Sequence, residues 1–367
     1  MAVIGAGVMG AGIAAHVANS GTPVVLLDVV PNGASKRSVL AETAVKNMLK
    51  ANPAPLMHKQ NVNLIKTGNL DDDLGMLAEC DLIIEAVIEN LEIKQVLDKQ
   101  IDTVRKAGSI ITSNTSTIPL AKLMNGLTDD FARDFAITHF FNPPRYLRLL
   151  EVVAGPHTRT DAVTALQTFC DRALGKSVVH CKDTPGFIAN RIGILWTTCA
   201  IRFAFEDQLT VEEADAIVGR PMGIPKTGVF GLMDLVGIDL QPHVSASMLS
   251  SLPSQDMFRD LHQDSEFIAH MIREGYTGRK GKGGFYRMNK KEGKKVLEAI
   301  NLTTQDYSSS KKIDLNIDEK INLKELVSRN DKYGEYAWSI ISKIILDLFS
   351  SDPPYSSSLL LIDELKN

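Results

Sequence analysis

Gly5-Ala6-Gly7-Val8-Met9-Gly10-Ala11-Gly12 is the stretch that decides how this chain folds. It follows the short apolar run Met1-Ala2-Val3-Ile4 and opens an alanine-rich segment with a helical pattern that ends at Asn19-Ser20-Gly21. A second apolar run, Val24-Val25-Leu26-Leu27, then ends in Asp28. Strand, glycines, helix, strand and acid in that order describe a dinucleotide-binding βαβ unit, whereas the glycine triplet alone would equally suit an ordinary turn. In such a unit Gly5 permits a tight turn, Gly7 lets the backbone approach a pyrophosphate, and Gly10 lets the helix pack closely on its strand. The helix N-terminus offers free N–H groups and the positive end of its dipole to the phosphates. Asp28 stands 18 residues after Gly10, placed to accept hydrogen bonds from ribose hydroxyls. Val29 and Val30 come after it rather than a basic residue, and a carboxylate repels a 2′-phosphate, so NAD is expected rather than NADP.

Further strands are expected at residues 63–67, 81–87, 109–112 and 135–139, with a helix over residues 91–106 after Glu85-Ala86-Val87-Ile88-Glu89-Asn90. Parallel strands joined by helices give a doubly wound α/β sheet whose ligands lie beyond the strands' C-terminal ends. The residues just past each strand are therefore candidate site material. Ser113-Asn114-Thr115-Ser116 stands after one strand, and His139 ends another, ahead of Phe140-Phe141-Asn142-Pro143-Pro144. Of eight histidines, His139 is the one at such a strand end. Glu151 lies twelve residues later inside Leu149-Leu150-Glu151-Val152-Val153, where a carboxylate is costly unless it is paired. Strand, proline turn and strand would return Glu151 to the side of His139. A histidine held by a carboxylate is a good general base near neutral pH. Alone, His139 reads as a hydrogen-bonded structural residue and Glu151 as a solvent-facing one; next to a cofactor site the pair reads as catalytic. Ser116 and Thr117 are also candidate caps for a helix starting near Pro119. Thr184 is the expected cap of a further helix with Pro185 in its first turn. Asn190 would lie about one turn inside it, either on the exposed face or aimed at a polar ligand.

The 367 residues carry 40 Lys+Arg against 44 Asp+Glu, a net charge of −4, and are 44% hydrophobic. That size fits two domains and a tail, and the charge gives no general reason to bind nucleic acid or anionic lipid. No uninterrupted apolar window of about 18 residues is present to span a membrane. Cys80, Cys170, Cys181 and Cys199 show neither CxxC nor metal-like spacing, so reduced thiols in the cytoplasm and no metal site are expected. The nucleotide-binding pattern begins at once, so no leader peptide is expected. At the other end, Ser308-Ser309-Ser310 and the charged stretch to Glu325 read as a solvated linker. Tyr336 to Phe349 has helical apolar spacing. Asp352-Pro353-Pro354 and Ser356-Ser357-Ser358 read as a loop, and Leu359-Leu360-Leu361-Ile362 as an apolar run without an evident partner. The chain reads as cut from something longer.

Together, residues 5–12, 85–90, 113–116, 139–143, Glu151 and residues 183–191 resemble the 3-hydroxyacyl-CoA dehydrogenase family. Gly219-Arg220-Pro221-Met222-Gly223, Asp234-Leu235-Val236-Gly237-Ile238-Asp239 and residues 278–286 (GRKGKGGFY) are similar to the family's helical C-terminal domain. Asn52-Pro53-Ala54-Pro55-Leu56 and Arg145-Tyr146-Leu147 most resemble long bacterial members fused to an enoyl-CoA hydratase. The resemblance, which runs from residue 1 to about 290, implies a Rossmann-like NAD-binding domain over 1–183 and a mainly α-helical domain over 184–300. A linker over 301–332 and a partial helical tail over 333–367, similar to the start of a second helical repeat, would complete the chain.

The implied reaction is oxidation of an L-3-hydroxyacyl-CoA to the 3-ketoacyl-CoA in fatty acid β-oxidation, with hydride passing to NAD. His139 would take the hydroxyl proton and Glu151 would orient and support it. Ser116 and Asn190 would hydrogen-bond the substrate oxygen or the histidine. Gly5, Gly7, Val8, Met9, Gly10, Asp28, Glu89 and Asn114 would bind the cofactor, and Ser116 and Asn142 the substrate. Lys46 and Lys50, four apart on a helical arm, would meet the CoA phosphates, although such a pair also suits a solvated face. Arg279, Lys280 and Lys282 among glycines fit a turn closing the helical domain better than an anion loop. The implied partners are an acyl-CoA substrate, a second copy bound through the helical domain, and a β-oxidation thiolase. A non-catalytic NAD-binding remnant is the alternative. A dehydrogenase of free hydroxy acids would more typically use a lysine on its helical domain, and the His139/Glu151 pair counts against it.

Overall fold

Three residues suffice for the first strand because it is paired on both sides. The computed structural model describes residues 1–291, 293–315 and 322–348. Its first unit, residues 1–188, contains β1 (Ala2–Ile4), β2 (Val24–Asp28), β3 (Ile65–Asn69), β4 (Leu82–Glu85), β5 (Ile110–Ser113), β6 (Phe135–Phe140), β7 (Leu149–Ala154) and β8 (Ser177–Cys181). They form one sheet in the order β3-β2-β1-β4-β5-β6-β7-β8. β1 lies between β2 and β4, both parallel to it, and its three residues are 0% exposed. The chain order reverses between β1 and β4, which opens a crevice at their C-terminal ends.

Helices α1 (Val8–Asn19), α2 (Val39–Met48), α3 (Leu91–Val104), α4 (Leu120–Leu123), α5 (Asp129–Asp134) and α6 (Thr160–Thr168) cover the sheet. Side chains alternate across each strand. Val3, Leu26 and Val152 therefore pack with Ile13 and Val17 in one apolar layer. Ile4, Ile83 and Val153 pack with Leu97 and Ile101 in the other. This is the doubly wound α/β architecture expected from the sequence, with one strand more than expected. β7 runs antiparallel to β6, because a short turn can join only antiparallel neighbours. β8, parallel to β7, has no counterpart among the expected strands: it is an edge strand with exposed Ser177 and His180 and too thin an apolar alternation to read.

Neither Ser116 nor Thr117 caps α4. The Asp183 carboxylate does so from a distant segment, accepting from the Leu120 N–H at 2.8 Å and the Ala121 N–H at 3.1 Å. The helix expected directly after Thr184 begins only at Ala189. Gly186 (φ 77°) and Phe187 (φ 49°) are both left-handed, so no right-handed helix can pass through them. The Phe187 ring is buried in the first unit's core, which runs through Ile188.

The second unit starts with α7 (Ala189–Glu206), followed by α8 (Val211–Ile217), α9 (Phe230–Val236), α10 (Leu240–Ser251), α11 (Met257–Leu261) and α12 (Glu266–Arg273). Residues 278–286 then form a turn: Gly278 bridges Gly283, and Asp234 accepts from the Phe285 and Tyr286 N–H groups at 2.8 Å each. Where the sequence suggests more helix and then a linker, the chain forms an antiparallel sheet of β9 (Tyr286–Lys291), β10 (Lys294–Ile300) and β11 (Tyr307–Ser309). The solvated linker expected over 301–332 is corrected on both sides of residues 316–321, which lie outside the described residues. Leu302, Leu315 and Leu326 are buried, and α13 (Leu323–Val327) begins with a capping box between Asn322 and Glu325.

The final described helix, α14 (Lys332–Leu348), belongs to the core of this unit. Tyr336, Ala337 and Ile340 are 0% exposed. The Tyr336 hydroxyl donates to the Ala200 carbonyl of α7 at 2.7 Å, and Asp347 pairs with Arg191 near the start of α7. The expected loop and apolar run at residues 352–362 lie outside the described residues.

An independent tail would leave stability untouched when altered. Packing of this kind instead predicts a loss of about 2–5 kcal/mol for Ile340→Ala and about 1 kcal/mol for Tyr336→Phe. Both are read from the midpoint of urea unfolding.

Candidate functional site

The glycine-rich turn shows three separate uses of a missing side chain. Gly5 has φ 101°, and a Cβ there would lie 2.5 Å from the Ala86 carbonyl oxygen. At Gly10 a Cβ would stand 1.8 Å from the Gly5 carbonyl oxygen, so the helix could not approach the strand. Gly7 differs: a Cβ there would meet nothing within 4 Å. Its glycine leaves room for something other than protein. Gly7 is also the N-cap of α1 and supplies no side-chain cap, so the first-turn N–H groups keep their capacity to donate. Beyond it Val8 is exposed and Met9 half-buried. Asp28, at the end of β2, accepts from the Ala6 N–H on Oδ2 and from its own neighbour Val29 N–H on Oδ1, both at 2.6 Å. It braces the turn, and each oxygen retains a lone pair for a ribose hydroxyl. These features fit a dinucleotide.

Beside the turn, β4 and α3 enclose a charged cluster of which the sequence points only to Glu89 as a site residue. Glu85 and Lys94 are both buried, with Nζ at 2.8 and 3.0 Å from the two carboxylate oxygens. Glu85 also accepts from the Ser113 hydroxyl at 2.6 Å and the Val87 N–H at 2.7 Å. Lys94 lies 3.4 Å from Glu89 as well. The Glu89 carboxylate gathers the loop after β5, accepting from the Thr115 hydroxyl at 2.5 Å and from the Ser116 and Thr117 N–H groups at 3.0 and 3.1 Å. Burial works against its charge, yet the Thr115 hydroxyl, Lys94 and the Ser116 N–H together hold the carboxyl below its ordinary pKa. Ser116 is thus placed through its backbone. Asp98, one turn beyond Lys94, is wholly buried, and neither of its oxygens has a hydrogen-bond partner among the described residues. Burial, and then the charge of Glu85, push its pKa up to about 8 against the pull of Lys94. A signal existed: Lys94 and Asp98 interrupt the apolar stripe Leu91, Leu97, Ile101 at helical spacing.

His139 and Glu151 face each other directly in the β6–β7 ladder. Opposed side chains in an antiparallel pair are neighbours, and here Nδ1 lies 2.7 Å from Oε2. The other carboxylate oxygen accepts from the Ile188 N–H at 3.0 Å. Both side chains are buried, and the imidazole lies against the rings of Phe141 and Phe187, at centroid distances of 4.5 and 5.6 Å. An ionised carboxylate only accepts, so the proton between them sits on Nδ1 and leaves Nε2 with its lone pair. Asn114 steadies this strand end, its side-chain oxygen accepting from the Phe140 N–H at 2.9 Å.

Asn142 lines a cleft of about 600 Å3 with Gly7, Val8, Met48, Pro53 and Pro144. Lys46 is exposed on α2, but Lys50 falls beyond that helix's last residue, Met48, so the two do not share one helical face as expected. Asn190 is the second residue of α7, half-buried, in the other unit. Also unforeseen are Arg145, which donates to the Ala54 and Leu56 carbonyls at 2.6 and 3.0 Å, and the buried Lys176 behind the same turn.

Comparison with known proteins gives a consistent picture. The family model described as 3-hydroxyacyl-CoA dehydrogenase, NAD binding domain, matches residues 1–184, and the C-terminal domain model of that name matches residues 186–288. A Rickettsia felis protein whose name describes a fatty acid oxidation complex trifunctional enzyme is 40% identical over 361 residues, spanning 98% of this chain and 50% of its own length. Human mitochondrial hydroxyacyl-coenzyme A dehydrogenase is 33% identical over 289 residues, 78% of this chain and 90% of its own. The crystal structure of Mycobacterium tuberculosis FadB2 superposes with a TM-score of 0.64 at 28% identity, covering 78% of this chain and 97% of that one. The chain therefore spans about half the length of the longer curated relatives it matches.

The geometry has two measurable consequences. Gly7→Ala keeps the thermal midpoint of unfolding but weakens NAD binding in a calorimetric titration, because its Cβ meets no protein. Asp98→Leu, which exchanges two unpartnered oxygens for methyl groups of similar shape, stabilises the protein by about 1–3 kcal/mol at pH 8. The wild-type Asp98 carboxyl holds its proton to about pH 8, while the unfolded chain releases it near the ordinary aspartate value of 3.8. Its contribution to stability is thus complete below pH 3.8 and lost as pH rises toward 8. Asp215 and Asp234, pushed up to about 7 and about 6 by burial, add a decline of their own, so denaturant melts across that range should show a steeper decline in the wild type than in the variant.

Proposed function

The chain belongs to the 3-hydroxyacyl-CoA dehydrogenase family, and from that premise we propose that it oxidises an L-3-hydroxyacyl-CoA to the 3-ketoacyl-CoA, NAD when bound accepting the hydride from C3. The observation that carries this reading is the buried His139–Glu151 pair, set on the same sheet as the open glycine turn. His139 takes the substrate's hydroxyl proton at Nε2, since Nδ1 is committed to Glu151. The imidazolium that results is not an isolated buried charge, because it forms against a carboxylate already held by the Ile188 N–H. Glu151 also fixes the ring's orientation, and Phe141 and Phe187 keep water from its faces.

Gly5, Gly7, Val8, Met9 and Gly10 hold the cofactor's phosphates and Asp28 its ribose. Glu89 and Asn114 act at one remove, by shaping the loop and strand end that border the nicotinamide position. Ser116 and Asn190 are assigned to the substrate oxygen, where fixed donors restrict the geometry of transfer. Asn142 contacts the substrate within its cleft, while Lys46 and Lys50 remain exposed and available to CoA phosphates. The name of the Rickettsia felis relative supports a place in fatty acid oxidation. There, an enoyl-CoA hydration would supply the hydroxyacyl substrate and a thiolase would cleave the product.

The test is direct. Purified protein with NAD and 3-hydroxybutyryl-CoA should generate NADH absorbance, and His139→Ala should lower kcat roughly 10²–10⁴-fold, the usual worth of a general base. Glu151→Gln should lower kcat while leaving NAD affinity unchanged. Absence of turnover in a wild-type protein that binds NAD would overturn the proposal; equal rates in wild type and His139→Ala would overturn the mechanism.

A further inference from the structure

Lys176 is one of the largest fully buried side chains in the protein, and unlike Lys94 it meets no carboxylate among the described residues. Its ammonium is instead used up locally. It donates to the Pro144 carbonyl and to the Leu147 carbonyl, the latter at 2.8 Å, and lies 5.5 Å over the Phe140 ring. Those residues span the turn between β6 and β7. Phe140 adjoins His139, and Lys176 immediately precedes β8, where Ser177 pairs with Leu149 at the start of the strand that carries Glu151. The Ser177 N–H donates to the Arg148 carbonyl at 2.9 Å, closing the other side of the same turn. A buried ammonium is costly. Here the cost falls at the one connection that sets the register of His139 against Glu151. The turn's outer face is held too, by Arg145 on the 54–56 segment and by Pro144 against Gly12, where a Cβ would lie 2.9 Å from the proline ring.

We propose that Lys176 is a positioning residue, whose ammonium holds residues 143–147 in the form that aligns His139 with Glu151 and presents Asn142 to its cleft. The proposal rests on the reading of His139 as the base. The groups around the ammonium make its charge the variable one. Burial pushes Lys176 down to about 8. His16 on α1 is pushed down to about 4 by burial and then by Lys176, and so is neutral at working pH. Burial raises Cys170 to about 12, so it too is neutral. Above pH 8 the amine loses a donor and the strength that charge gives the remaining hydrogen bonds, and the turn is held less firmly.

Lys176→Met and Lys176→Arg test this against wild type, with kcat, NAD affinity and the NMR titration of the His139 imidazole as readouts. Lys176→Met should lower kcat roughly 10–100-fold, the scale of a small misplacement of reacting groups, with NAD affinity unchanged. The wild-type profile should fall above about pH 8, the value set by Lys176. That limb should disappear in Lys176→Met and persist in Asp98→Leu, which removes a second buried group of the same unit that titrates in the range. Lys176→Arg should recover part of kcat without the limb. The His139 resonances should shift in Lys176→Met. Wild-type kcat, alkaline limb and His139 titration in Lys176→Met would overturn the proposal, whatever Lys176→Arg does. If no form of the protein turns over, the dehydrogenase reading fails, and the His139 titration alone still decides whether Lys176 positions the imidazole.

Discussion

Glu151 accepts from His139 with one oxygen and from the Ile188 N–H with the other. The pattern recurs at each corner that matters: a carboxylate held close to backbone N–H groups, fixing a loop that has no ladder to fix it. Asp28 does this for the glycine turn, Glu89 for the loop after β5, and Asp183 for the start of α4. In the second unit Asp215 receives the Phe230 and Gly231 N–H groups, and Asp234 the Phe285 and Tyr286 N–H groups. A buried carboxylate must find donors, and an irregular loop has donors to give. Each need meets the other. The loops that would hold cofactor and substrate are thereby rigid without being part of a sheet.

Most of the first unit's organisation is visible in the sequence because it is local. The glycine turn, the strands before and after it and Asp28 lie within thirty residues, and their spacing carries the geometry. The dyad is legible for a similar reason: His139 and Glu151 are separated by one turn, and only an antiparallel return brings them face to face. The hidden features depend on distance along the chain. Asp183 caps a helix 63 residues earlier, and no pattern near Ser116 or Thr117 could reveal that a remote carboxylate takes their place. The linker reading fails because charged and serine-rich composition hides single buried leucines such as Leu302 and Leu315. Whether α14 is tail or core turns on a hydroxyl-to-carbonyl bond across 136 residues.

Local rules are broken where function is proposed. Phe187 keeps a left-handed backbone beside the imidazole and, among the described residues, Asp98 leaves two oxygens unpartnered and Lys176 buries a charge without a counter-charge. None of these improves the fold on its own. Their concentration around the β4, β5, β6 and β7 ends is what is expected where geometry is held against local preference. By contrast the two apolar layers of the sheet keep closely to strand alternation, and supply the rigidity that those departures lean on.

The place of α14 also bears on the order of events during synthesis. The helical unit begins at Ala189, yet its core lacks Tyr336, Ala337 and Ile340 until those residues have left the ribosome. The Rossmann-like unit needs nothing beyond Ile188 for its described strands and can condense first. α7 must meanwhile wait with an apolar flank and with Arg191 lacking Asp347, its partner 156 residues later. Between those moments the growing chain carries one finished half and one sticky half. The residues outside the matched family segments are therefore the ones that end its period of greatest exposure to misassembly.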